Sequence, residues 1–343
     1  MTTRPSVKTT LKRGALVAAA NWQVTAVQFV ADSTVKLLLT VPLVGGGLLV
    51  ALVMGKDIPP FSFADLRTSL MGLAQVLMDE PIALASFLLA FGIVGVAGSV
   101  LLFLTKGGTV AVMARGERDG GPIEAPPLLL STLETAACFS LDTFHDGCTT
   151  YFRRYVRLGI GLMSLYGLSG AIYLSVLFGN LPASLTPDSN MAWTVTAGIA
   201  STVLAVWITL VNFAYSLVQM VIVVDDCGVG QGVRRAARFL RSDARPVWSV
   251  FGLALLLVVC ATLVSLVATT SLGLIAFVPL VGLAVVPLQL LAWLFRGLVF
   301  QYIELSAVGA YLNLYRRHEG NPVEELTAEQ DDSFEFGSPP RLT

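Results

Sequence analysis

The chain has 343 residues, 55% of them hydrophobic and only 13% charged, with a mean hydropathy of +0.75. The charged share is about half the ~25% typical of soluble domains, which excludes an ordinary water-soluble globule. Several runs approach the ~20 apolar residues that cross a bilayer, so the fold class is all-α, a polytopic membrane protein. The formal net charge of −1 hides an uneven distribution, with basic residues clustered in certain connections and acidic ones in the last segment.

Arg4, Lys8, Lys12 and Arg13 precede the apolar stretch Gly14 to Ala20, as in a signal peptide. That stretch is short and Asn21-Trp22-Gln23 interrupts it, so no cleavage is expected. Leu11, Ala15, Ala18, Trp22, Ala26 and Phe29 recur at a helical period, which predicts a cytoplasmic amphipathic helix over residues 1–34. Ser33 is positioned to cap a first span at 35–54. A second interfacial helix is expected within Lys56 to Glu80, on the stripe Phe63, Leu66, Leu70, Leu73 and Leu77. Pro81 suits the first turn of a span at 82–104, where Gly92, Gly95, Gly98 and Ser99 offer a small-residue face.

After breakers at Gly107-Gly108, Gly120-Gly121-Pro122 and Pro126-Pro127, Ser131-Thr132-Leu133-Glu134 reads as a capping box. It opens a helix that carries Leu133, Ala137, Leu141, Phe144, Cys148 and Tyr155. Further spans follow at 158–179, 191–224 and 247–271. A sixth falls within 275–311, either from Leu274 to Arg296 or from Pro287 to Tyr311. Residues 316–343, rich in Glu and Asp with Pro and Gly, are expected to be a disordered cytoplasmic tail.

Lys and Arg near the spans set the orientation. They cluster before the first span, between the second and third and between the fourth and fifth, whereas the third and fifth connections have none. Both termini are therefore expected inside, in a cell membrane crossed six times.

The densest positive charge lies in Val221 to Trp248. Asp225 and Asp226 end an apolar run, since carboxylates are costly in hydrocarbon. Arg234, Arg238, Arg241 and Arg245 follow at steps of 4, 3 and 4, on one helical face beside Val233, Ala237, Leu240 and Ala244. Pro246 is expected to break this helix, and Trp248 to sit at the headgroup level. Two readings stand: a basic helix on the inner leaflet, or a solvated loop that only sets topology.

Other clusters have plainer explanations. Glu134, Cys138, Asp142, His145 and Asp146 are metal-ligating types, but the stripe from Glu134 to His145 extends ~16 Å along a helix, too far for one ion. The polar face of an amphipathic helix accounts for them, and no metal is expected. Thr209, Asn212, Ser216 and Gln219 form a stripe within the fourth span, for interhelical hydrogen bonds or a polar path. Arg296 either snorkels to the headgroups or, in the later register of the last span, needs a counter-ion deep in the membrane. Cys138, Cys148, Cys227 and Cys260 lack any paired spacing and are read as free thiols. No G-x-S-x-G, H-E-x-x-H or P-loop occurs, so no enzyme activity, cofactor or nucleic-acid partner is expected.

Val223 to Leu240, VVDDCGVGQGVRRAARFL, and Tyr311 to Gly320, YLNLYRRHEG, resemble two signatures of bacterial and archaeal polytopic proteins, related to the membrane domain attached to some glycerophosphoryl diester phosphodiesterases. Asn21-Trp22 is a weaker echo. The likeness covers about a third of the chain and departs from the pattern at Val233, Ala237 and Asn313, where leucine, serine and an acidic residue are usual. It implies six α-helical spans with no catalytic domain, and it favours the later register of the last span. The expectation for function is a non-enzymatic organising component of the envelope, its arginines meeting anionic membrane lipids or an acidic protein partner. The rival is a small-molecule permease that uses Thr209, Asn212, Ser216, Gln219 and Arg296. A third reading has Asp142 and His145 acting on lipid headgroups.

Overall fold

A computed structural model describes residues 6–54, 81–121, 123–124, 130–179, 187–276 and 281–335. The described residues form helices and no strand: α1 (Val7–Ala20), α2 (Trp22–Met54), α3 (Pro81–Asp119), α4 (Leu130–Ala136), α5 (Leu141–Gly179), α6 (Pro187–Val224), α7 (Val229–Ser242), α8 (Ala244–Ala276) and α9 (Val281–Glu335). Six stretches are long and apolar enough to cross a membrane: Trp22–Gly46, Leu84–Asp119, Leu133–Leu177, Met191–Val224, Ala244–Ile275 and Pro287–His318. The fold is thus all-α and polytopic. The last stretch follows the later of the two registers. α3 and α5 each have 39 residues, ~58 Å at 1.5 Å per residue, nearly twice the ~30 Å of bilayer hydrocarbon. Their ends must therefore lie outside the hydrocarbon.

Helix ends fall where side chains replace the missing backbone partners. Ser6 caps α1 by accepting from the Thr9 N–H at 3.2 Å. α1 stops at Asn21, and α2 then runs unbroken past Ser33, where a new start was expected; Lys36 pairs with Asp32 at 2.5 Å one turn back and supports continuity there. The single helix expected to open at Ser131 is two helices. Asn21 lies at their break, donating to Ala136 O at 2.8 Å and accepting from the Cys138 N–H at 2.9 Å. Ser140 restarts α5 by accepting from the Thr143 N–H at 3.1 Å. Asp226, at φ 46°, turns the chain after α6, a left-handed conformation that Asp tolerates. Pro246 does not break the basic helix. α7 already ends at Ser242, and Pro246 occupies the first turn of α8, where its missing N–H costs nothing.

Packing divides the chain into two units, unit 1 (Met1–Phe29, Gly107–Tyr151, Ala214–Thr343) and unit 2 (Val30–Lys106, Phe152–Phe213). Unit 2 leaves Leu37, Leu89, Ile93, Ile172 and Val203 more than half exposed, an apolar surface suited to lipid. Of the expected small-residue face on α3, Gly98 packs against Val35, whereas Gly92 and Gly95 have nothing within 4 Å among the described residues. Across α5 and α6, Tyr166 donates to Asn212, Trp207 to Ser169 Oγ at 3.0 Å and Trp193 to Leu177 O at 3.1 Å, and Tyr173 shares a 2.9 Å bond with Ser201. Aromatic rings thus bridge this antiparallel pair at successive turns.

Unit 1 holds the dense core, with Val17, Met113, Phe239, Leu305 and Leu312 all but inaccessible. α1 crosses α9 backbone to backbone. A Cβ at Gly14 would meet Ala310 N at 2.5 Å and Ser306 O closer still. The last helix does not give way to an unfolded tail at residue 316, since Arg316, Arg317 and His318 continue α9 with partners described below. The interfacial helix expected between Lys56 and Glu80 lies outside the described residues.

Gly14→Ala is expected to destabilise the protein by about 1–3 kcal/mol through overpacking against backbone that cannot yield. Gly92→Ala, with open space and a gain in helix propensity, should leave stability unchanged or slightly raised. Thermal unfolding of both variants in detergent checks the contrast.

Candidate functional site

Two buried carboxylates organise unit 1. Glu117, near the end of α3, is 3% exposed, and three side chains from distant parts of the chain converge on it. Arg13 Nε donates to its Oε1 at 3.2 Å, Asn313 Nδ2 to the same oxygen at 3.0 Å, and Arg316 Nη1 lies 2.9 Å from Oε2. Arg13 also donates to Glu117 O at 3.0 Å, Gly121 O at 2.5 Å and Glu124 Oε2 at 2.8 Å, and Arg316 to Ala114 O at 2.6 Å. The two guanidinium groups therefore bond carbonyls in and just beyond the last turns of α3 and compensate two carboxylates at once. Arg317, 4.0 Å from Glu124, and Lys12, donating to Glu124 O at 3.0 Å, close the rim.

Asp225 is the second centre, its side chain 3% exposed. It accepts from Tyr315 Oη at 2.7 Å and Arg235 Nη1 at 2.6 Å. The hydrogen bond that Arg235 donates to Asp225, reinforced by the charge of Asp225, holds the Arg235 guanidinium above its ordinary pKa. One turn on, His318 Nδ1 lies 2.9 Å from Asp243 Oδ2, and Phe239 meets Tyr315 edge-on at 5.1 Å. Residues 223–240 and 311–320 thus supply most of these contacts: Asp225 and Arg235 from the first stretch, Asn313, Tyr315, Arg316, Arg317 and His318 from the second.

α7 docks through Gly232, Ala236 and Phe239, all buried; Val233 and Ala237, of the apolar face beside the arginines, are exposed. Gly232 lets α7 approach the Ile222 side chain. Arg234, Arg238 and Arg241 fall on the opposite face. All three are exposed and make no ion pair with the described residues. Arg245 is exposed as well but belongs to the first turn of α8, so the expected four-residue stripe is three residues on one helix and one on the next.

The residues of the polar stripe part company. In unit 2, Thr209 bonds to Ala205 O at 2.8 Å within its own helix, and Asn212 accepts from Tyr166. In unit 1, Ser216 is half-buried and Gln219 buried, while Arg296 is exposed with its guanidinium 5.5 Å from the Phe300 ring centre. Asp142, His145 and Asp146 lie exposed on the first turns of α5. A groove of about 390 Å³ between α5 and α6 is lined by Leu168, Ile172, Tyr173, Val203 and Trp207. Glu117 escaped the sequence reading because its partners lie 104 and 196 residues away. The one available signal was an acidic residue beside basic ones in a segment that had to stay near the membrane. Comparison with protein-family models, with curated proteins and with solved structures finds no match.

Glu117→Ala should cost about 3–5 kcal/mol, because it removes the carboxylate shared by the buried Arg13 and the half-buried Arg316, as read by thermal unfolding in detergent. Asn313→Asp should also lower the unfolding midpoint, by placing a second carboxylate against Glu117. Asn313→Gln is the control for shape.

Proposed function

We propose that this chain is a non-enzymatic multi-pass protein of the cytoplasmic membrane, with α7 and both termini on the cytoplasmic side, and that it acts as an organising component of the envelope. The observation that carries this reading is the face of α7. Arg234, Arg238 and Arg241 are exposed, lack ion-pair partners among the described residues and point away from the buried Gly232, Ala236 and Phe239. Arg245 and the exposed Trp248 follow at the start of α8, where an apolar stretch begins. Like charges one turn apart destabilise a helix, so a face kept this way suits a ligand that supplies the anions. Anionic phospholipid headgroups fit best, since the same helix leads directly into a span. An acidic protein partner is the second candidate. The placement of arginine and lysine between spans supports the orientation, and the likeness at residues 223–240 and 311–320 supports a membrane protein without a catalytic domain.

The permease reading is carried by the polar residues of α6 and by Arg296. Asn212 bound to Tyr166 and Arg296 lying over Phe300 are packing uses. Water-soluble maleimide labelling of Asn212→Cys, Gln219→Cys and Arg296→Cys from the aqueous side would favour transport, and unreactive thiols would favour packing.

Each arginine near an anionic leaflet contributes about 1 kcal/mol, so the four together change affinity by more than about a hundredfold. In nanodiscs of phosphatidylcholine with labelled phosphatidylglycerol, energy transfer from the protein's tryptophans should report enrichment of the anionic lipid around the wild type. This enrichment should vanish when Arg234, Arg238, Arg241 and Arg245 are all changed to Gln. Equal transfer from both proteins removes the proposal, as does a reporter fused after Arg245 that faces outward.

A further inference from the structure

The start of α2 packs against the middle of α9, and the seam between them is polar. Gln28 Nε2 donates to Glu304 Oε2 at 3.4 Å. Phe29 covers Gly297, where a Cβ would strike its ring, and tilts against Trp293 at 6.4 Å. Gly297, Gln301 and Glu304, at i, i+4 and i+7, share one face of α9, and Thr25, Gln28 and Phe29 share one face of α2. Because Gly297 and Glu304 both touch α2, Gln301 between them faces the same seam.

Thr25, Gln28 and Gln301 are 7%, 2% and 8% exposed. Thr25 Oγ1, Gln28 Oε1 and Gln301 Oε1 are all buried without a hydrogen-bond partner. The orientation of Gln28 is settled by its bond to Glu304, since only its amide nitrogen can donate there. Three bare oxygens in one seam are costly, at about 1–3 kcal/mol each. Both helices here belong to stretches apolar enough to cross a membrane, Trp22–Gly46 and Pro287–His318, where buried polar groups mark functional sites. Glu304, exposed at the edge of the seam, adds a carboxylate.

We infer that this seam binds a monovalent alkali cation, held by the oxygens of Thr25, Gln28 and Gln301 with Glu304 at its mouth. The donor set is oxygen only, which selects a hard cation over a soft metal. One carboxylate balances one charge, whereas a divalent ion would leave a net positive charge in a low-dielectric site. Nearby Arg296 is directed over Phe300 and does not occupy the site. This site does not depend on the arginine face of α7.

The test is thermal unfolding of the full chain in detergent, in sodium, potassium or N-methylglucamine chloride at equal ionic strength. An alkali cation at about a hundredfold excess over its dissociation constant should raise the wild-type midpoint saturably by roughly 5 °C over N-methylglucamine. Gln301→Leu should lose this response while keeping its helical circular dichroism, and Glu304→Gln should need at least about tenfold more cation. Thr25→Val serves the same purpose if Gln301→Leu does not fold. A midpoint identical in all three salts means that the seam holds water only and overturns the inference. So does a shift that persists unchanged in both Gln301→Leu and Thr25→Val.

Discussion

A carboxylate that is almost wholly buried cannot stay ionised without compensation, and Glu117 is compensated from both ends of the chain. Arg13 comes from the first helix, and Arg316 and Asn313 from the last. Isolated burial of one charge costs several kcal/mol, and removing one partner from a buried pair costs ~3–5. The site therefore couples three helices that are otherwise far apart in sequence. Beside Arg13, Gly14 lets α1 cross α9 closely, where a Cβ would strike the α9 backbone.

Asn21 is the hinge of this arrangement. It ends α1, bonding Val17 O at 3.0 Å, and its side chain also serves both backbone groups freed where α4 stops. One amide thereby satisfies two helix breaks that would otherwise leave orphan donors and acceptors in a buried place. Gly116 faces the same point, where a Cβ would crowd Ala136 O and Asn21 Nδ2. The chain passes from the clasped cluster into long apolar helices without intervening loops at α3, α5 and α6.

Much of this is legible in the sequence, and the physics explains the rest. Apolar run length identified six spanning stretches because that property is local. The arginine periodicity after Asp226 identified an exposed basic face for the same reason. What a local reading places less well are helix boundaries set by distant partners. Ser33 looks like a cap but lies inside α2, whereas Asn21, four residues before the first buried polar residue of the seam, is the actual break. The capping box at Ser131 predicts one helix, and contact with Asn21 divides it. The sequence reads Asp225 as the end of an apolar run, yet its buried Oδ2 also accepts from both Tyr315 and Arg235. Asn313 donates to Glu117, and a carboxylate in its place would face that of Glu117.

The arginines sort into two populations, and the sorting separates fold from function. Arg13, Arg316 and Arg235 each meet a carboxylate that is nearly inaccessible. Arg234, Arg238 and Arg241 lie on the same α7 that Arg235 anchors, yet they face the other way. Nothing in the packing of α7 requires them, because its docking depends on Gly232, Ala236 and Phe239. Spacing of three and four residues makes the charges neighbours, and each like pair costs roughly 0.2–0.5 kcal/mol on an isolated helix. Stability alone would favour neutral residues at those positions. Arg235 adds a constraint, since its bond to Asp225 fixes the rotation of α7 about its axis. The three free guanidinium groups are consequently presented in one direction, which is the condition for contacting a flat, repeating array of anions several at a time.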